Sequence, residues 1–165
     1  LKKLRQFIIH LDEISDEDKS KFIEKLKIDS DYQKKVGENL VLIINRLDDM
    51  WLKPEMLSRA FKAYIEGEIE YTTFRQLARA IDRLSVDHIP ALLEFYSESQ
   101  DRKIPDNDAL HDLSYSGLIA PLVVTGMMMG PMEGFTKTEL GEIFLEVVVK
   151  IIPNNQVESQ EQEFL

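Results

Sequence analysis

Residues 138–153 read TELGEIFLEVVVKIIP, and no other stretch constrains the fold as strongly. Leu140, Ile143, Phe144, Val147, Val148, Ile151 and Ile152 recur at three- and four-residue spacing, and Pro153 stops the pattern. That spacing predicts a helix with a broad apolar stripe. A stripe of this width has to be buried against something large, so the rest of the chain must supply a helical core.

The upstream sequence offers one. Leu1, Leu4, Ile8 and Leu11, widened by Phe7 and Ile9, predict an opening helix. Ser15 with acidic residues behind it predicts the cap of a second, whose buried side is Phe22, Ile23 and Leu26. Ser30 with Asp31 signals a third helix, buried through Val36, Leu40, Ile43, Ile44 and Leu47. Pro54 suits the first turn of a fourth, carrying Leu57, Ala60, Phe61, Tyr64 and Ile65 inward until Gly67 ends it. The alternation of EIEY at 68–71 predicts a short extended link, then Thr72 or Thr73 caps a helix with Phe74, Leu77, Ala78, Ile81 and Leu84 inside. Asp87 is the expected cap of the next, leaving Pro90 in its first turn.

A polar connector follows at 99–106. Residues 107–117 predict a short helix with Leu110 and Leu113 inward and Gly117 as its stop. The run from Leu118 to Met129 is apolar but contains Pro121 and Gly126, and it falls short of the roughly 20 residues that span a bilayer. It predicts a hairpin, turning at Gly130 and Pro131. The fold class expected is mainly α, about seven helices with one small β-hairpin. It divides into a helical region at 1–98, the connector, a helix–hairpin–helix part at 107–152 and a disordered tail at 153–165, in one compact unit.

Charge sorts the functional classes. Residues 1–60 carry 12 basic and 12 acidic side chains, whereas residues 105–165 carry only Lys137 and Lys150 against ten carboxylates. The C-terminal third thus holds most of the net charge of −10. With no cysteine, thiolate zinc sites, disulfides and a cysteine nucleophile are excluded, and a cytoplasmic setting is the expectation. The chain begins at Leu1, which points to a piece of a longer protein.

Three stretches resemble known families. KAYIEGEIEYTTF, 62–74, is similar to an EF-hand loop and its exit, with Gly67 at the sixth position. Calcium needs oxygen ligands at the first and twelfth positions, where this chain has Lys62 and Thr73, so the resemblance is degenerate. From Ala109 to Val149, ALHDLSYSGLI and GFTKTELGEIFLEVV resemble the second half of a winged-helix domain. Leu110, Leu113, Gly117, Leu118 and Ile119 match the helix ending in "sGLI"; Thr138, Glu139, Leu140, Gly141 and Glu142 match the "TelGe" start of the last helix. Gly117 would end its helix in a left-handed turn and Gly141 would let the last helix approach its neighbour. Residues 37–84 resemble a class of uncharacterised bacterial helical proteins in which such a segment precedes a winged-helix-like end. That resemblance implies architecture and no activity.

Winged-helix proteins mostly bind DNA, so a transcriptional regulator is the alternative that the resemblance implies. The residues oppose it: the reading helix offers Asp106, Asp108 and Asp112 without Lys or Arg, and residues 119–136 carry no basic residue. Phosphate contacts supply nearly all non-specific affinity for DNA. Asp108, His111 and Asp112, at i, i+3 and i+4, are the only metal candidates, and they lack a further ligand nearby. The helix dipole accounts for the aspartates without one. His10 and His88 have no partner pattern. No phosphate loop, nucleophile elbow or zinc-protease motif occurs, so no catalytic residue and no cofactor is expected.

The expectation is a non-enzymatic protein-interaction or regulatory module that binds a protein partner or a second copy. The contact residues expected are Met127, Met128, Met129, Met132 and Phe135, since flexible thioethers pack on varied apolar surfaces. Strand alternation would put Met127 and Met129 on one face and Met128 on the other, which breaks up a thioether copper site. A membrane-seeking lip would want basic or aromatic flanks, and no Lys or Arg occurs between Leu118 and Thr136.

Overall fold

The computed structural model describes residues 2–9, 11, 14–97, 106–124 and 132–149. The architecture is mainly helical with one two-stranded antiparallel hairpin, as the periodicity predicts. The elements run α1 (Lys2–Ile9), α2 (Asp16–Ile28), α3 (Ser30–Arg46), α4 (Leu52–Ile65), α5 (Tyr71–Arg83), α6 (Ile89–Tyr96) and α7 (Asn107–Tyr115). The hairpin strands β1 (Ile119–Val124) and β2 (Met132–Lys137) follow, then α8 (Glu139–Ile143), which continues as a π-helical segment, Phe144–Val149. The expected tail at 153–165, and all but the last residue of the connector at 99–106, lie outside the described residues.

α4 and α5 form the centre. Leu57 and Ala60 on α4 and Leu77, Ala78, Ala80 and Ile81 on α5 are fully buried, and the alanines let the two helices approach closely. Burial of each Leu or Ile contributes about 1.5–3 kcal/mol. One end of this pair is aromatic: Phe61 lies 5.3 Å from Phe74 and 5.7 Å from both Phe7 and Phe22, and Tyr64 stacks on Phe74 at 5.8 Å. Such pairs add about 0.5–1.5 kcal/mol beyond their area. The α3 stripe is buried as expected through Val36, Ile44 and Leu47.

α1 turns a different face inward from the one its spacing suggests. Phe7 is buried against α4, while Leu4, Ile8 and Ile9 are 41–49% exposed. The cause lies one turn back, where the Lys3 ammonium donates to the Asn45 and Leu47 carbonyls at the end of α3. Lys3 and Phe7 share a helix face, so anchoring one rotates the other inward. Ile23 of α2 is likewise half exposed, although Phe22 and Leu26 pack on the core.

The caps refine the boundaries. Ser15 caps α2 as expected, accepting from the Asp18 amide at 3.1 Å. For α3 the cap is Asp29 rather than Ser30, for α5 Glu70 rather than Thr72 or Thr73, and for α6 His88 rather than Asp87. A 3₁₀ turn, Val86–His88, leads into α6 and leaves Pro90 in its first turn. At the start of α4, one Asp49 carboxylate oxygen accepts from the Trp51, Leu52 and Lys53 amides at 2.8, 2.5 and 3.2 Å.

No strand forms at 68–71. Gly67, at φ +78°, instead closes α4 with a paired capping motif: its amide bonds the Tyr64 carbonyl and the Glu68 amide bonds Ala63. Gly117, at φ +82°, closes α7 in the same way, with its amide on Ser114 and the Leu118 amide on Leu113. The buried Leu113 and Leu118 supply the apolar contact that accompanies this turn.

Candidate functional site

The base of the hairpin is a knot of hydrogen bonds. The Tyr96 hydroxyl at the end of α6 donates to the Leu118 carbonyl at 2.7 Å and accepts from the Thr138 amide at 2.9 Å. Thr138, capping α8, accepts from the Gly141 amide at 3.0 Å and donates to the Gly117 and Leu118 carbonyls. Gly141 is needed here: a β-carbon at 141 would overlap both the Tyr96 hydroxyl and the Leu118 carbonyl. Lys137 is held too, its ammonium donating to the Tyr96 carbonyl at 3.2 Å over the tyrosine ring.

From this base the strands pair in register from Ile119 opposite Lys137 to Val124 opposite Met132. Ile119 is buried and Leu122 is 47% exposed, so the hairpin leaves the core as it extends. Phe135 pairs across from Pro121, is half-buried on the core, and meets the His111 ring edge-to-face at 5.9 Å. It thereby ties the hairpin to α7. Met132 lies in β2, three residues before Phe135 and so at a position of opposite parity. Met127, Met128 and Met129 lie outside the described residues.

The metal candidates do not converge. His111 is engaged with Phe135, whereas the Asp112 carboxylate lies 2.8 Å from His88 Nδ1 and accepts from the Ser85 amide at 3.0 Å. Asp108 is exposed in the first turn of α7, near the Asp106 cap. No group of three metal-ligating side chains occurs among the described residues. His88 therefore does have a partner, one that sequence spacing hides because Asp112 is 24 residues away. In the EF-hand-like stretch, residues 62–65 are the last turn of α4 and Gly67 takes a positive φ.

The described surface holds a cleft of about 560 Å³ that nothing in the sequence signals. It is bounded by the end of α4, the turn after Gly67 and the π-helical segment. Ala63, Ile69, Ile143 and Val147 form its apolar lining, with Arg59, Lys62, Glu66, Glu68 and Glu146 around them. Arg59 is committed, donating to the Val148 carbonyl at 2.8 Å and pairing with Glu55 at 2.5 Å. π-helical turns occur often at functional sites; here Ile143 is the last residue of α8, just before the π-helical segment, and Val147 lies within it.

No described helix is long and apolar enough to cross a membrane. No protein-family model matches the chain, and no curated protein or solved structure matches it either.

Proposed function

We propose that this chain is a non-enzymatic protein-interaction or regulatory module whose contact element is the hairpin, set in a winged-helix-like C-terminal part. One observation carries the reading: a hairpin fixed at its base by Tyr96 and Thr138 still leaves Leu122 about half exposed. A rigid mount with an apolar outer surface suits binding, because little freedom is lost when the surface is covered. Met127, Met128, Met129 and Met132 extend that apolar surface along the sequence.

The alternative reading, DNA binding through α7, is disfavoured by charge. α7 starts with Asp106 and Asp108 exposed, and neither it nor β1 contains Lys or Arg.

The test substitutes Leu122, Met128 and Met129 together by serine. Sedimentation over graded concentrations and affinity capture are compared with the parent chain, with thermal melting as the check that the fold survives. Loss of self-association or of captured protein at unchanged melting is the expected result. Identical behaviour of the two chains overturns the reading, and a mobility shift with DNA at about 50 mM salt would replace it.

A further inference from the structure

We infer that the cleft between α4 and the π-helical segment receives a basic, apolar-faced peptide segment of a partner protein. This is a separate face from the hairpin and does not depend on it. The reasoning starts from which charges in the lining are already satisfied. Arg59 is spent on the Val148 carbonyl and Glu55, and Lys62 lies 4.0 Å from Glu66. Glu68 and Glu146 are exposed, and neither has an ion pair or hydrogen bond from its side chain among the described residues.

The acidic side of the cleft continues along the last helix, where Glu139, Glu142 and Glu146 are all exposed and follow one another at three and four residues. The lining between these carboxylates is apolar: Ala63 is buried, and Ile69, Ile143 and Val147 are half-buried. A complementary occupant carries Lys or Arg on its edges and aliphatic side chains between them, the pattern of a basic amphipathic helix. The cleft's volume lies in the range of sites that take a few side chains.

Other occupants fit less well. A free anion would find both lining cations engaged, and a membrane surface bearing anionic lipid would be repelled by the carboxylates. The chain's own residues 150–165 carry Lys150 against Glu158, Glu161 and Glu163, the wrong sign for this rim.

The test titrates the full chain with a short amphipathic peptide made only of leucine and lysine. An oligolysine and a leucine–glutamate peptide of equal length serve as comparators, and methyl resonances report the contact. Shifts that saturate at Ile69, Ile143 and Val147 with the leucine–lysine peptide alone are expected. The exposed pair Glu68→Gln/Glu146→Gln should weaken binding about 3- to 10-fold, while the remote pair Glu24→Gln/Asp31→Asn changes it less than about twofold. Shifts scattered over the surface, equal binding of oligolysine, or an equal loss from the remote pair would overturn the inference. So would shifts at these methyls that track protein concentration without peptide, which would make a second copy the occupant.

Discussion

The Tyr96 ring occupies the space that a side chain at Gly141 would need, and the Tyr96 hydroxyl at the same time bridges the Leu118 carbonyl and the Thr138 amide. Three elements distant in sequence thus meet at one phenol. Gly141→Ala is expected to destabilise the fold by about 3 kcal/mol, because the added methyl strikes backbone as well as ring. Tyr96→Phe keeps the packing and loses only the bridge, a cost of about 1–3 kcal/mol. Urea denaturation of both variants measures the difference; equal costs would mean that the close approach at 141 relaxes freely.

Lys53 is a buried lysine, with its ammonium 2.5 Å from the exposed Asp48 and 3.1 Å from the Asp82 carbonyl. The hydrogen bond from Lys53 holds the Asp48 carboxyl below its usual pKa. A depressed acid contributes stability above its unfolded-state pKa and loses it as pH falls, so this contribution disappears below about pH 4. Asp48→Asn should cost about 1–2 kcal/mol at pH 7, discounted for the exposure of Asp48, and should flatten the acid limb of the stability curve. Lys53→Met should cost less than Asp48→Asn, since it removes the buried charge along with its need for a partner. A larger loss from Lys53→Met would contradict this.

The Tyr64 hydroxyl is buried and has no hydrogen-bond partner among the described residues. Removing it in Tyr64→Phe should leave stability unchanged or raise it by up to about 1 kcal/mol. Tyr71→Phe is the contrast, because its hydroxyl accepts from Asn39 at 3.3 Å. Chemical denaturation that ranks the two variants the other way would show that the Tyr64 hydroxyl is satisfied after all.

Asp112 joins α7 to the 3₁₀ turn before α6 by accepting from the Ser85 amide and pairing with His88. Asp112→Ala should destabilise by about 1–2 kcal/mol, whether or not metal is added. Zinc should leave the melting temperature of the parent chain unchanged, whereas a single native-state site at 100 times its Kd would add about 2.7 kcal/mol. A zinc-dependent rise that vanishes in His111→Ala would restore the metal site.

Much of the helical frame is legible in the sequence, for reasons the structure makes plain. Ser15, Pro54, Gly67, Gly117 and Thr138 act locally, so the chemistry that sets a boundary is adjacent to it. Caps slip by a residue or two where several acceptors compete, as Asp29 does with Ser30. The rotation of α1 was not legible because Lys3 finds its acceptors 42 and 44 residues away. The cleft was hidden for the same reason: Ala63 and Val147 belong to different helices, and each alone reads as ordinary core. The Met-rich stretch is plain in the sequence, but only Met132 of its proposed contact methionines falls within the described residues.

The hydrogen bond from Arg59 to the Val148 carbonyl closes a gap of 89 residues, and α4 is the helix that both α1 and the last helix cover. During synthesis α4 therefore leaves the ribosome long before its final neighbour exists. At 5–20 residues per second the wait is roughly 4–18 s, and through it the face of α4 meant for Phe144 and Val148 is open to other chains. Whatever shields that face in the meantime, a chaperone or a transient intrachain contact, governs how much newly made protein reaches the native fold.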